Sequence, residues 1–283
     1  MNAMRFRFAS LGRKIFITLM QMAMLSYVIL ILYPLFNMVI SSFKSTRDIM
    51  RFPFSLPSGF DFSNYVSVWV DKGFSVYFLN SLYYTAASMV FVVLFGSMAA
   101  FGISRYAFRG NTMVYMLFLS GIMLPLKAAV IPLFQIVKGF GIMDSPLSVI
   151  FVFIAMGIPS TVFILSGFMK TIPPALEQAA RIDGASELRI YSQIVMPICM
   201  PSLALVVIYN AVPIWNEFFF PLVFLQSDRL KTLPVGLSSF IGQHSTKWEL
   251  LFTGLSMAIV PMLVMYLLMS KYFIKGMTAG AVK

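Results

Sequence analysis

Few residues in this chain have side chains that could do chemistry, and most of them stand apart. There is one cysteine, Cys199, and one histidine, His244. A lone thiol makes no intrachain disulfide, and this pair supplies neither a structural zinc set nor any other metal site. Serines are many, but no histidine is placed to activate one within an apolar run. No G-x-S-x-G, H-E-x-x-H or paired-carboxylate pattern occurs, so no catalytic residue is named. No G-x-x-x-x-G-K-[ST] loop occurs either, so the chain does not bind ATP by that route. Trp215, Asn216 and Glu217 are the exception. Glu217 is the only acid well inside a long apolar stretch. Such groups face a cavity or a partner by default. Two readings fit it. The three residues can line a passage, since aromatic faces stack on sugar rings and amides bond hydroxyls. Glu217 can equally make a structural hydrogen bond to another helix or subunit.

A second concentration of polar residues runs from Lys170 to Pro197. Pro173 and Pro174 suit the start of a helix, where a missing N–H does no harm. Glu177 favours the positive end of the helix dipole. Leu176, Ala179, Ala180 and Asp183 recur at helical spacing. Gly184 then ends the helix or turns it sharply. A second helix starts near Ser186, with Glu187 in its first turn, and Pro197 stops or kinks it. Two short helices joined at an angle can be an amphipathic interfacial connector. They can also be a docking handle for a soluble partner.

The elements that must position these residues lie in lipid. Hydrophobic residues make up 59% of the chain and charged residues 11%, with a mean hydropathy of +0.87. Soluble domains carry about 25% charged residues. A water-soluble globule is excluded, and so is disorder. A helix needs about 20 apolar residues to cross the bilayer. The uncharged runs predict six spans, at about 15–40, 76–104, 112–135, 146–169, 199–225 and 250–273. The first is too long for a signal peptide and no A-x-A-like site follows it. Arg5, Arg7, Arg13 and Lys14 precede it, which keeps the N-terminus (1–14) in the cytoplasm. Six spans return the C-terminal tail (274–283) there too. Inside segments then hold 12 Lys and Arg, and outside segments eight. The net charge of +11 therefore reads as positive-inside bias, not as a nucleic-acid surface.

The outer loop 41–75, with Pro53, Pro57, Gly59, Phe52, Phe54 and Trp69, is expected along the membrane interface. Lys127, between Pro125 and Pro132, snorkels to the outer interface or meets substrate. His244, in outer loop 226–249, is solvated or a ligand. Pro159, Pro213 and Pro261 interrupt spans and can serve gating or packing. Gly96 and Ala100 offer a small face for close helix contact. Gly276 and Gly280 mark flexibility in the tail. The 22 methionines and 29 phenylalanines read as packing.

One pattern within the polar segment is specific. Ala179-Ala180, three residues, Gly184, nine residues, Ile194, one residue, then Met196-Pro197 resembles the EAA loop of the inner-membrane permeases of binding-protein-dependent ABC importers. The run Ala180–Ala185 is similar to the sugar-importing branch, which includes the smaller permease of the maltose transporter. Trp215–Phe218 and the tail Tyr272–Lys283 match as well. The likeness is clearest over 75–283. The family's signature glutamate falls on Gln178, with Glu177 just before it, and Met196 replaces the usual leucine. Gln178 keeps hydrogen bonding but loses the charge that would pair with an ATPase arginine, unless Glu177 substitutes.

The resemblance implies an all-α, six-span permease domain over 76–273, with a coupling loop at 171–197 between the fourth and fifth spans. Glu177, Gln178, Ala179, Ala180, Asp183, Gly184 and Pro197 would contact an ATPase. Partners would be a second, larger permease, two ATPase subunits carrying ATP and magnesium, an extracytoplasmic solute-binding protein and a carbohydrate. This chain would hold no cofactor. In the maltose-type branch the larger permease holds most of the sugar, and the loop 226–249 reaches the binding protein. The location would be a bacterial or archaeal plasma membrane. A secondary transporter or channel subunit is the alternative class, although ion coupling usually needs several intramembrane acids. Within importers, a glycerol-phosphate-like solute is the other cargo.

Overall fold

The computed structural model describes residues 2–242 and 246–281, with side chains over 13–242 and 246–271. The helices are α1 (Asn2–Ser41), α2 (Thr46–Arg51), α3 (Ser63–Val66), α4 (Phe74–Arg105), α5 (Asn111–Met123), α6 (Val130–Gly139) and α7 (Pro146–Met169). They continue as α8 (Pro174–Ile182), α9 (Glu187–Ile190), α10 (Met196–Ile198), α11 (Met200–Trp215), α12 (Phe219–Phe224), α13 (Leu233–Ser238) and α14 (Trp248–Ala281). Among the described residues the only β pairing is a single bridge between Ile241 and Thr246. The protein is all-α.

Among the described residues, four segments are long and apolar enough to cross a membrane alone: Arg13–Ser41, Phe74–Arg105, Pro146–Met169 and Trp248–Lys271. Two further spans would be bent pairs, Asn111–Met123 with Leu126–Gly139 at 90°, and Glu187–Ile198 with Met200–Trp215 at 78°. The straight third span expected over 112–135 is therefore corrected. α5 stops at Met123 because Pro125 forces Leu124 out of the helical region, to ψ 129°. A short 3-10 turn carrying exposed Lys127 then leads into α6. The expected kink at Pro197 moves as well. The chain runs through Pro197 on a π turn (Tyr191–Val195) and α10, and bends at Cys199, with Pro201 in the first turn of α11. Pro159, Pro213 and Pro261 sit inside continuous helices.

The chain divides into two compact units, Met1–Asp71 with Phe240–Met257, and Lys72–Ser239 with Ala258–Lys283. In the first, the segment after α1 is a folded knot. Phe43 packs against Phe60, Phe62 and Tyr65 at ring separations of 5.2–5.3 Å. Lys44 is buried, and its ammonium donates to the carbonyls of Phe52 and Pro53 at 3.2 and 3.4 Å.

The second unit is built on α4 lying along α7. Small and hydroxyl side chains make this approach possible in an apolar setting. A Cβ on Gly96 would stand 2.5 Å from Thr161 Cγ2, and one on Gly157 would stand 2.7 Å from Val92 Cγ2. Asn210 ties α11 to the pair: Ser160 Oγ donates to its Oδ1 at 2.8 Å, and its Nδ2 donates to Thr161 Oγ1 at 3.3 Å. One apolar core gathers Tyr84, Phe153, Phe220 and Phe224. A second gathers Phe101, Leu165, Met169, Ile190 and Cys199. This second core underlies the polar loop.

Candidate functional site

The loop from Lys170 to Pro197 folds as a knuckle. Pro173 precedes α8, and Pro174 begins it. At its other end Gly184 adopts φ 79°, which an L side chain resists. The Gly184 N–H donates to Arg181 O at 3.1 Å, and the Ala185 N–H to Ala180 O at 2.9 Å. This pair of bonds is a Schellman closure, which satisfies the orphan carbonyls and reverses the chain. Ser186 Oγ then accepts from the Arg189 N–H and opens α9. The sequence reading of helix, glycine turn and second helix matches this geometry.

Charged side chains hold the knuckle's shape. Arg105, the last residue of α4, places Nε 2.6 Å from Glu177 Oε1, with the two side chains 8% and 3% exposed. Its guanidinium also donates to Ile172 O at 3.3 Å. Arg181 lies 3.9 Å from the other Glu177 oxygen. It also forms a two-pronged pair with Glu187, at 2.7 and 3.0 Å. Tyr106 Oη donates to Glu187 Oε2 at 2.7 Å. The Arg181 guanidinium and the Tyr106 hydroxyl hold the Glu187 carboxyl down at about 2. Burial and the bond to Glu187 push the Tyr106 phenol up. The Arg181 guanidinium is raised in turn by its bond to Glu187.

The predicted contact residues separate into two groups. Gln178, Ala179, Asp183, Gly184 and Pro197 are exposed, and Ala180 is half-buried. Glu177 is turned inward onto Arg105, because burying a carboxylate requires a matched cation. That geometry does not present it to a partner. Between the turn and α9, Gly184, Ser186, Leu188, Arg189, Ser192 and Gln193 border a concavity of about 440 Å³. Ile182, at the end of α8, is 87% exposed, and Leu188 is exposed too. Nothing in the sequence marks Arg105 and Tyr106. Their partners lie 72 and 81 positions away, and no periodicity links them.

The second candidate set is placed differently from the expected span over 199–225. α11 ends at Trp215, so Asn216 and Glu217 stand in the break before α12. Glu217 Oε1 accepts from the Phe219 and Phe220 N–H groups at 2.8 and 3.4 Å. It caps the orphan donors of α12. Trp215 is buried, its Nε1 donates to Ala258 O at 3.2 Å, and its ring meets Phe78 edge-on at 5.7 Å. Asn216 Nδ2 donates back to Val212 O at 2.9 Å. In this conformation Trp215 has no open face for a sugar ring, and only Asn216 is exposed. The break was hidden in the sequence by the unbroken apolar run around it. His244 and the side chains of the Tyr272–Lys283 tail lie outside the described residues.

Comparison with known proteins bears on most of the chain. The model of the binding-protein-dependent transport system inner membrane component family matches residues 92–278, a stretch that contains the whole loop. The probable ABC transporter permease protein YurM of Bacillus subtilis is 36% identical over 257 residues, covering 91% of this chain and 85% of its own length. The melibiose/raffinose/stachyose import permease protein MelC of the same organism is 34% identical, covering 88% and 91%. The diacetylchitobiose uptake system permease protein NgcG of Streptomyces coelicolor is 31% identical, covering 89% and 84%. Among solved structures, a chain of a bacterial ABC transporter involved in the import of the acidic polysaccharide alginate has the same fold. Its TM-score is 0.79 at 24% identity, covering 92% of this chain and 97% of the other. The helix–glycine–helix knuckle, the apolar spans and these relatives together identify the chain as a member of the binding-protein-dependent transport system inner membrane component family, a permease subunit of the sugar ABC importer type.

Proposed function

We propose that this chain forms half of the translocation pathway of an ATP-driven oligosaccharide importer, with both termini in the cytoplasm of a bacterial or archaeal cell. A second, larger permease completes the pathway. Two ATPase subunits supply ATP and magnesium, and a solute-binding protein delivers the sugar. ATP binding closes the ATPases, moves the knuckle and turns the pathway outward; hydrolysis resets it. The chain transmits work and makes or breaks no bond itself.

The observation that carries this reading is the knuckle. It is exposed at Gln178, Ala179, Asp183 and Gly184, carries protruding apolar Ile182 and Leu188, and is braced from behind by buried charge. Exposed apolar side chains on a rigid polar support favour a protein contact over a passive connector. The carbohydrate assignment is supported by the named cargoes of relatives, which are melibiose, raffinose, stachyose, diacetylchitobiose and arabino-oligosaccharides.

The test is uptake into proteoliposomes containing the complex purified through a tag on this chain. Raffinose, diacetylchitobiose and arabinotriose are offered together with the cognate binding protein. Accumulation that needs ATP and the binding protein supports the reading. Accumulation driven by a proton or sodium gradient, with no ATPase in the preparation, assigns the chain to secondary transport.

A further inference from the structure

Two adjacent residues at the end of α4 reach different halves of the knuckle. Arg105 grips the entry and first turn of α8 twice, through Ile172 O and Glu177. Tyr106 reaches the first turn of α9 through Glu187. Arg181 closes the circuit, touching Glu177 on one side and Glu187 on the other. Asn111 Nδ2, at the start of α5, donates to Ile103 O and Tyr106 O at 3.0 and 2.7 Å and fixes the turn between them. Above this point α4 lies so close to α7 that Gly96 leaves no room for a side chain.

We propose that Arg105 and Tyr106 are positioning residues that latch the α8–α9 knuckle to the cytoplasmic end of α4, so that displacement of the knuckle is delivered to the α4–α7 pair. This rests on the reading of the knuckle as the ATPase contact. It moves Glu177 from the partner's side of that contact to the inside of the chain. Exposed Gln178, one position on, is left to meet the partner.

The physical ground is the burial of the Arg105–Glu177 pair. A buried carboxylate that loses its cation is left uncompensated, so the two groups stay together while the loop moves. Salt screens such a pair much less than a surface one. A cation at the C-terminal end of α4 is favoured by the helix dipole as well. Packed, close-fitting helices respond as units and do not deform continuously. A push on α8 therefore reaches α7 without a flexible element between them.

The test needs no sugar. A cysteine is introduced at exposed Val76, in the first turn of α4 at the end away from the knuckle, in the full complex; the native Cys199 is buried. Maleimide labelling is followed with and without ATP, magnesium and vanadate. The ATP-dependent change in labelling rate should fall by roughly two- to thirtyfold in Arg105→Gln, the span expected for residues that carry coupling. Tyr106→Phe, which keeps the ring, should give a smaller loss. The exchange of Arg105→Glu with Glu177→Arg should restore part of the response, as coupled partners do in a double-mutant cycle. ATPase co-purification should be unchanged in Tyr106→Phe, which keeps the Arg105–Glu177 pair. A native-sized response in both Arg105→Gln and Tyr106→Phe overturns the latch and leaves the importer reading standing. So does an absent response at Val76→Cys in the otherwise native complex, or loss of the ATPase in Tyr106→Phe. Failure of any ATPase to co-purify with the native chain overturns both readings.

Discussion

At Gly96 the backbone of α4 meets the side chain of Thr161 on α7, with space for a hydrogen and not for a methyl group. Thr161 cannot simply turn away. Its hydroxyl donates to Gly157 O at 2.8 Å and accepts from Asn210, so the methyl is held toward α4. This close helix contact is thus set by a polar network that also holds α11.

Gly96→Ala should destabilise the protein by about 1–3 kcal/mol, the usual cost of forcing extra volume into a packed contact. Thr161→Ser removes the nearest methyl and keeps the hydroxyl, so the double variant should recover part of the loss. Thermal aggregation of the detergent-solubilised protein measures both. Equal midpoints for Gly96→Ala and the native protein would mean that the helices are not in close contact.

Gly184→Val should place a branched side chain at φ 79°, at a cost of about 1–2 kcal/mol. No atom lies within 4 Å of a Cβ built there, so the penalty is conformational and not steric. Gly184→Asn, which tolerates this region, should be much milder. Membrane insertion should be normal in both, and ATPase co-purification should fail only in the valine variant. Native-level co-purification and uptake in Gly184→Val would reduce the knuckle to a connector.

Glu217→Ala should uncap α12 and cost about 1 kcal/mol, as loss of a capping acceptor does. Glu217→Gln keeps an acceptor for the Phe219 and Phe220 N–H groups and should retain stability and uptake. If Glu217→Gln is stable yet inactive in transport, the carboxylate itself acts in the pathway and capping is secondary.

The Glu187 carboxyl is held at about 2 against an ordinary value of 4.5. A depressed carboxyl contributes stability that is fully present above the unfolded value and is lost as pH falls through the folded one. The contribution of the Glu187 pairings to the α8–α9 turn should therefore begin to fall below about 4.5 and be lost as pH passes through about 2. Hydrogen exchange at the Gly184 and Ala185 amides reads this directly. In Glu187→Gln the pH dependence in this window should vanish, with protection low throughout; an unchanged profile would assign it to another carboxyl.

The sequence made the long elements legible because their apolar runs exceed what crossing lipid requires. The knuckle was legible for a local reason, since Pro173–Pro174, Gly184 and Ser186 each encode one step of start, turn and restart. The breaks at Leu124 and Asn216 were not, because hydropathy sees an unbroken run where the backbone bends; the bend expected at Pro197 falls two residues on, at Cys199. Pro125 and Pro201 were the available signals, yet Pro159 and Pro213, equally visible, leave their helices continuous. Glu217 read as a lone acid in lipid because its partners are backbone N–H groups, which every sequence contains. The Arg105–Glu177 pair joins residues on opposite sides of three intervening helices, and that pairing follows from the fold alone.

The most direct test of the central claim is reconstitution of the complex purified through this chain, with ATP inside the vesicles and oligosaccharide plus binding protein outside. The account predicts ATP-dependent accumulation with the native chain, and loss of both ATPase co-purification and accumulation with Gly184→Val. Accumulation that proceeds without ATP, or without any ATPase bound to the native chain, would contradict it.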